Sequence, residues 1–139
     1  MTPTVQRSRL RRALSEPGAA FALMRAIMMG HWYRLWFRLR GRRFTAGRHL
    51  LVFGRIVMNG PGRVTLGDHV VIKGRVTPWT QSPDAHIEIG SHSRLDGVRF
   101  GCVRSVVIGQ YCRLAECSIT DTDFHSTRAD RNTNPDAPV

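Results

Sequence analysis

The apolar residues of this chain keep two different periods, and the change between them falls near residue 45. Between residues 19 and 43 they recur at Phe21, Met24, Met28, Trp32, Leu35 and Leu39, spaced 3, 4, 4, 3 and 4, which predicts one face of an α-helix. Ile27 and Trp36 widen that stripe, and Arg34, Arg38 and Arg42 repeat every four residues on another face. Ser15-Glu16-Pro17 supplies a start signal, with a capping serine and a proline tolerated in the first turn, and Gly41 supplies a stop. Gly30 is a candidate break that would divide the segment into two helices.

From residue 64 the period becomes six. Cut from Leu66 the chain reads LGDHVV and IKGRVT; from Ile89, IGSHSR and LDGVRF; from Ile108, IGQYCR, LAECSI and TDTDFH. The first slot holds Leu66, Ile72, Ile89, Leu95, Ile108, Leu114 and finally Thr120, and the second slot opens each block with Gly67, Gly90 and Gly109. The fifth slot holds Val70, Val76, Ser93, Cys112 and Ser118, with Arg99 as an exception, and Val64, Ile87 and Val106 lie two residues before each block. Short parallel strands joined by tight turns fit this pattern. One aliphatic residue per six points into a triangular core, and the next is pressed into a corner where glycine is easiest on the backbone. Each coil buries its strand edges against its neighbour, which makes the array a solenoid.

Three six-residue strands make one coil of about 18 residues, whereas the block starts at 66, 89 and 108 are separated by 23 and 19. The extra residues of the longer interval are assigned to a loop at Pro78-Trp79-Thr80-Gln81-Ser82-Pro83, and residues 48–65 to a degenerate first coil turning at Gly54, Gly60 and Gly62. The expected fold class is mainly β, a parallel β-helix over 46–139 preceded by a basic amphipathic helical segment over 1–45. A dinucleotide-binding reading fails, because Gly60-Pro61-Gly62 lacks the required spacing.

Composition changes this picture at one point. The 139 residues suit one modest domain, and 42% hydrophobic with 22% charged residues is ordinary for a folded chain. The net charge of +11, however, is concentrated: residues 1–50 hold eleven arginines against Glu16 alone, whereas 51–139 hold ten bases and nine acids. An aromatic and aliphatic helix face flanked by arginines is what an interfacial membrane helix looks like. The first expectation is nevertheless that this face packs on the second region or on a neighbouring subunit, with membrane-surface contact second. No nucleic-acid motif accompanies the charge, so no nucleic-acid partner is expected. Three cysteines, with Cys112 and Cys117 outside C-x-x-C spacing, read as small core residues in a reducing compartment rather than a disulfide framework or zinc site. The run Ala19 to Met24 is too short for a signal peptide and Arg25 interrupts it. The expected location is cytoplasmic, with peripheral contact at the inner face of the membrane through 19–43 as the further option.

The L/I-G-D/S/Q repeats at 66, 89 and 108 and the block Thr120-Asp121-Thr122-Asp123-Phe124-His125 carry a resemblance to the hexapeptide-repeat acyltransferases, and more narrowly to the bacterial O-acyltransferases that decorate polysaccharide sugars. The resemblance covers roughly residues 48–139 and implies the left-handed form of the parallel β-helix. It further implies acyl transfer from acetyl-CoA or another acyl-CoA to a hydroxyl of a sugar or glycan precursor, with no metal. His125 would be the general base, Asp121 or Asp123 would orient it, bind acceptor hydroxyls or cap a turn, and Trp79 would line the acceptor site or anchor a loop. A homotrimer with its active sites between subunits is implied as well. In relatives, further coils follow the histidine and carry much of the CoA site. Nothing follows Val139 here, so a C-terminally shortened domain is expected. The alternative reading is a truncated, non-catalytic β-helix module whose basic helix mediates membrane or subunit contact. His86 and His92 lack the ligand spacing of the β-helical carbonic anhydrases, and His69, His86 and His92 read as surface residues.

Overall fold

The structure, a computed structural model, describes residues 17–122. It opens with one helix, α1 (Pro17–Leu39), that runs through Gly30 without a break. Alanine, leucine and methionine dominate the stretch and favour helix. Gly30 serves packing instead of interruption. It is buried, and a Cβ there would lie 2.2 Å from the carbonyl oxygen of Leu50, so only glycine lets the helix backbone come this close to the next region. After Leu39 the chain turns at Gly41, where the Arg42 N–H donates to the Phe37 carbonyl at 2.8 Å.

Among the described residues twelve short strands follow, three to a coil. The first coil holds β1 (Arg43–Ala46), β2 (Leu51–Val52) and β3 (Arg55–Ile56), and the second holds β4 (Arg63–Leu66), β5 (Val71–Lys73) and β6 (Arg75–Thr80). The third holds β7 (His86–Ile89), β8 (Arg94–Asp96) and β9 (Arg99–Cys102), and the fourth β10 (Ser105–Ile108), β11 (Arg113–Ala115) and β12 (Ser118–Thr120). Each strand pairs in parallel with its counterparts one coil away, giving three four-stranded sheets: β1-β4-β7-β10, β2-β5-β8-β11 and β3-β6-β9-β12. This is a parallel β-helix of four coils, mainly β, behind one N-terminal helix.

Register converts the repeat into a core. Phe44, Val64, Ile87 and Val106 align across the first sheet, Val52, Ile72, Leu95 and Leu114 across the second, and Pro78, Phe100 and Ile119 across the third. These columns face inward as ladders of like side chains, and their middle members are almost fully buried. The second-slot glycines answer to close stacking: a Cβ on Gly67 or Gly90 would meet the next coil's backbone at 2.6 or 2.5 Å. Ser93, fully buried, donates to the Gly109 carbonyl and accepts from the Cys112 N–H, both at 3.1 Å, so its polar group is satisfied inside the corner.

Three details differ from the sequence expectation. The first coil begins at Arg43, not residue 48. Pro78, Trp79 and Thr80 belong to β6, where Pro78 pairs with Phe100 and Trp79 with Gly101, so the loop that lengthens the second coil is 81–85. The third concerns the helix. Its stripe of Phe21, Met24, Met28, Trp32, Leu35 and Leu39 is exposed throughout, from 53% to 74%, and does not pack on the solenoid. The buried face is Ala26, Gly30 and Phe37, joined by the half-buried Met29 and Tyr33. Small residues decide this, because the helix can seat closely only where Ala26 and Gly30 allow it. The Phe37 ring then packs on Phe44 at 4.9 Å and closes the first coil. Arg34 also turns inward and donates to the Gly47 carbonyl, apart from the exposed Arg38 and Arg42.

Candidate functional site

The block singled out in the sequence begins on the last strand. Thr120 ends β12, and Asp121 and Thr122 follow it within the described residues. Asp123 and His125 lie outside the described residues. Asp121 reaches across to the turn between β9 and β10. Its carboxylate accepts the Val103 N–H at 2.8 Å, the Arg104 N–H at 2.6 Å and the Ser105 N–H at 2.8 Å. Three consecutive amides therefore converge on one anion. Desolvation works to raise the Asp121 pKa, but those amides, with the Cys102 thiol, outweigh it and hold the carboxyl below its usual range. The residue caps a turn, one of the roles open to it from sequence.

Cys102 sits beneath that turn, fully buried, with its sulfur 3.3 Å from the His86 carbonyl and 3.7 Å from an Asp121 oxygen. Burial first, and then the Asp121 charge, push its pKa to about 11. It is a protonated donor at neutral pH and unsuited to nucleophilic work.

On the outer side of the same turn, Ser105 Oγ lies 3.0 Å from His86 Nε2. Register explains the meeting, because Arg43, Arg63, His86 and Ser105 occupy equivalent positions on the four strands of the first sheet. Beside them a groove of about 380 Å³ is lined by Arg43, Arg63, Thr65, Asp84, His86 and Glu88. The loop 81–85 walls it, held by the Arg43 guanidinium donating to the Pro83 carbonyl at 3.1 Å. Two guanidinium groups, an imidazole in contact with a hydroxyl, and two carboxylates can together hydrogen-bond a polyhydroxyl or anionic ligand. Trp79 stands apart from this groove on the third sheet. It is half exposed and in register with Gly101, which in turn pairs with Thr120, so it shares a face with the start of the block.

A second ordered feature follows the first corner. His49, His69, His92 and Tyr111 each adopt a left-handed backbone, with φ between 55° and 62°, and their rings stack at 4.8 to 4.9 Å from coil to coil. The signal was present in the sequence as Gly-x-His or Gly-x-Tyr at 47, 67, 90 and 109. Stacked face to face, the rings present parallel edges and do not converge on a point. Among the described residues no three His, Cys, Asp or Glu side chains are grouped to hold a metal ion.

Compared with family models, with curated proteins and with solved structures, the chain gives no significant match in any of the three.

Proposed function

We propose that this chain is an acyl-CoA-dependent O-acyltransferase acting on a hydroxyl of a sugar or glycan precursor. The observation that carries the reading is the junction at Asp121. Among the described residues the last strand of four parallel β-helix coils closes at Thr120, the first residue of Thr120-Asp121-Thr122-Asp123-Phe124-His125, and three amides fix the residue that follows. In the family that the sequence resembles, such a block carries the general base.

On this reading the His125 imidazole takes the acceptor's proton as its oxygen attacks the thioester carbon. The carbon–sulfur bond then breaks, and the leaving CoA thiolate recovers a proton from the imidazolium. A neutral alcohol is a poor nucleophile, and an imidazole titrating near neutrality suits that transfer. Asp121 acts as a positioning residue through the 103–105 turn, while Asp123 and Trp79 contact the acceptor. The groove beside His86 supplies hydrogen-bonding groups for sugar hydroxyls. A homotrimer, with the pantetheine arm running between coils, belongs to the same proposal, and the chemistry requires no metal.

Calorimetric titration of acetyl-CoA into the full chain, from micromolar to millimolar, is expected to saturate. With a sugar acceptor present, free thiol should then appear, and His125→Ala should slow its release by about 10²–10⁴-fold while donor affinity is kept. No saturable binding up to millimolar donor, or an unchanged rate in His125→Ala, would overturn the proposal.

A further inference from the structure

Helix α1 carries two apolar faces and uses only one on the solenoid. The opposite face runs the helix's whole length, about 34 Å for its 23 residues. It exposes Phe21 at 69%, Met28 at 64%, Trp32 at 53% and Leu39 at 74%, with Met24, Leu35 and Trp36 between them. At 100° per residue, the exposed Arg38 borders this stripe on one side, whereas Arg25, between Trp32 and Trp36, reaches back to donate to the Phe53 carbonyl of the solenoid at 3.3 Å. Arg40 lies over the Trp36 ring at 4.2 Å, joining a cation to the end of the stripe. The charge around it has one sign: from Pro17 to Gly67 the chain holds nine arginines and no acidic residue.

We infer that α1 docks in the plane of an anionic phospholipid surface. Its outer stripe enters the boundary between headgroups and acyl chains, while the exposed Arg38 and Arg40 meet lipid phosphates. No helix among the described residues is long and apolar enough to cross a membrane, which agrees with lying on the surface and not with spanning it. Charge decides between lipid and a second copy of the chain. A self-complementary contact over this face would bring two arginine-rich segments together with no carboxylate between residues 17 and 67 to answer them. An anionic bilayer answers the apolar stripe and the cations at once. Aromatic residues are also the side chains that settle best at that boundary, where ring and water-facing edge are both accommodated.

Vesicle flotation of the full chain tests this. Phosphatidylcholine vesicles containing phosphatidylglycerol should carry the protein, at least about tenfold more tightly than phosphatidylcholine alone, with added salt weakening the association. Met28→Gln/Trp32→Gln/Leu35→Gln should reduce binding to the anionic vesicles by at least about tenfold. Val107→Gln, which removes an exposed apolar residue from the solenoid instead, should leave it unchanged. All these side chains are exposed, so circular dichroism should find each variant folded. Failure to float with anionic vesicles at low salt would overturn the inference. So would a triple variant that binds like the wild type, or one that dissociates an oligomer in sedimentation while vesicle binding is unaffected.

Discussion

The first and last of the four coils are built on the same repeat, yet they bury it to different extents. In the first, Phe44, Val52 and Ile56 are all buried, because α1 lies against that end and Phe37 closes it. In the fourth, Val106, the counterpart of Phe44, stays buried, but Leu114, the counterpart of Val52, and Ile119, the last inward residue of the third sheet, are only partly buried. What holds that coil at the third corner is a carboxylate, with Asp121 gripping the 103–105 turn. The comparison teaches that a repeat specifies where side chains point, while the neighbour on each side decides how much that pointing contributes. Hydrophobic stabilisation follows area removed from water, not position in a motif.

The sharpest test uses two leucines in one column. Leu95 and Leu114 are paired rungs of the second sheet, the former 1% exposed and the latter half-buried. Leu95→Ala should cost about 3 kcal/mol, a full transfer loss plus a cavity that the solenoid cannot collapse. Leu114→Ala removes the same atoms and should cost roughly 1 kcal/mol, because less surface returns to water. Denaturant melts of both variants measure the difference, and equal losses would break the comparison.

The same contrast shows what could be read from the sequence. The solenoid was legible because one aliphatic per six residues recurs in three blocks, and Leu66, Ile89 and Ile108 do face inward in register. The helix was legible as a helix, but not its buried face. Spacing marks the large residues from Phe21 to Leu39, whereas contact is decided by Ala26 and Gly30, which a hydrophobic pattern passes over. The 81–85 loop was placed three residues early because a proline and a tryptophan resemble a loop, although β6 accepts both. The groove could not be seen at all. Arg43, Arg63, His86 and Ser105 become neighbours only once unequal coil lengths of 20, 23 and 19 residues are known. Asp121 was singled out by resemblance, but its partners lie 16 to 18 residues back and follow no period.

Gly30 probes the closed end directly. A β-branched side chain there must displace the Leu50 carbonyl, which a Cβ would approach to 2.2 Å, and the helix must lift. Gly30→Val should cost about 2 kcal/mol by overpacking, less than the central cavity but more than any change on the outer stripe. It should also free Phe37 from Phe44, so amide exchange in β1 and β2 should rise while β8 and β9 keep their protection. Uniform loss of protection across all four coils would mean that α1 is not a local cap but part of one cooperative unit.

At the other end the expected effect is smaller and depends on pH. Asp121→Asn keeps the shape and weakens three charge-assisted hydrogen bonds, so a cost of about 1 kcal/mol is expected, moderated by water that reaches the exposed site. The folded carboxyl titrates below the ordinary value of 3.8. Its contribution is therefore complete above that value and lost as pH falls through the lower, folded pKa. Amide exchange at Val103, Arg104 and Ser105, corrected for its intrinsic pH dependence, reads this locally. The wild type should be better protected than Asp121→Asn near neutrality, and the two should converge as the medium becomes more acid than pH 3.8. A constant gap across that range would mean that the turn is held by its backbone alone, and that the fourth coil does not depend on the charge.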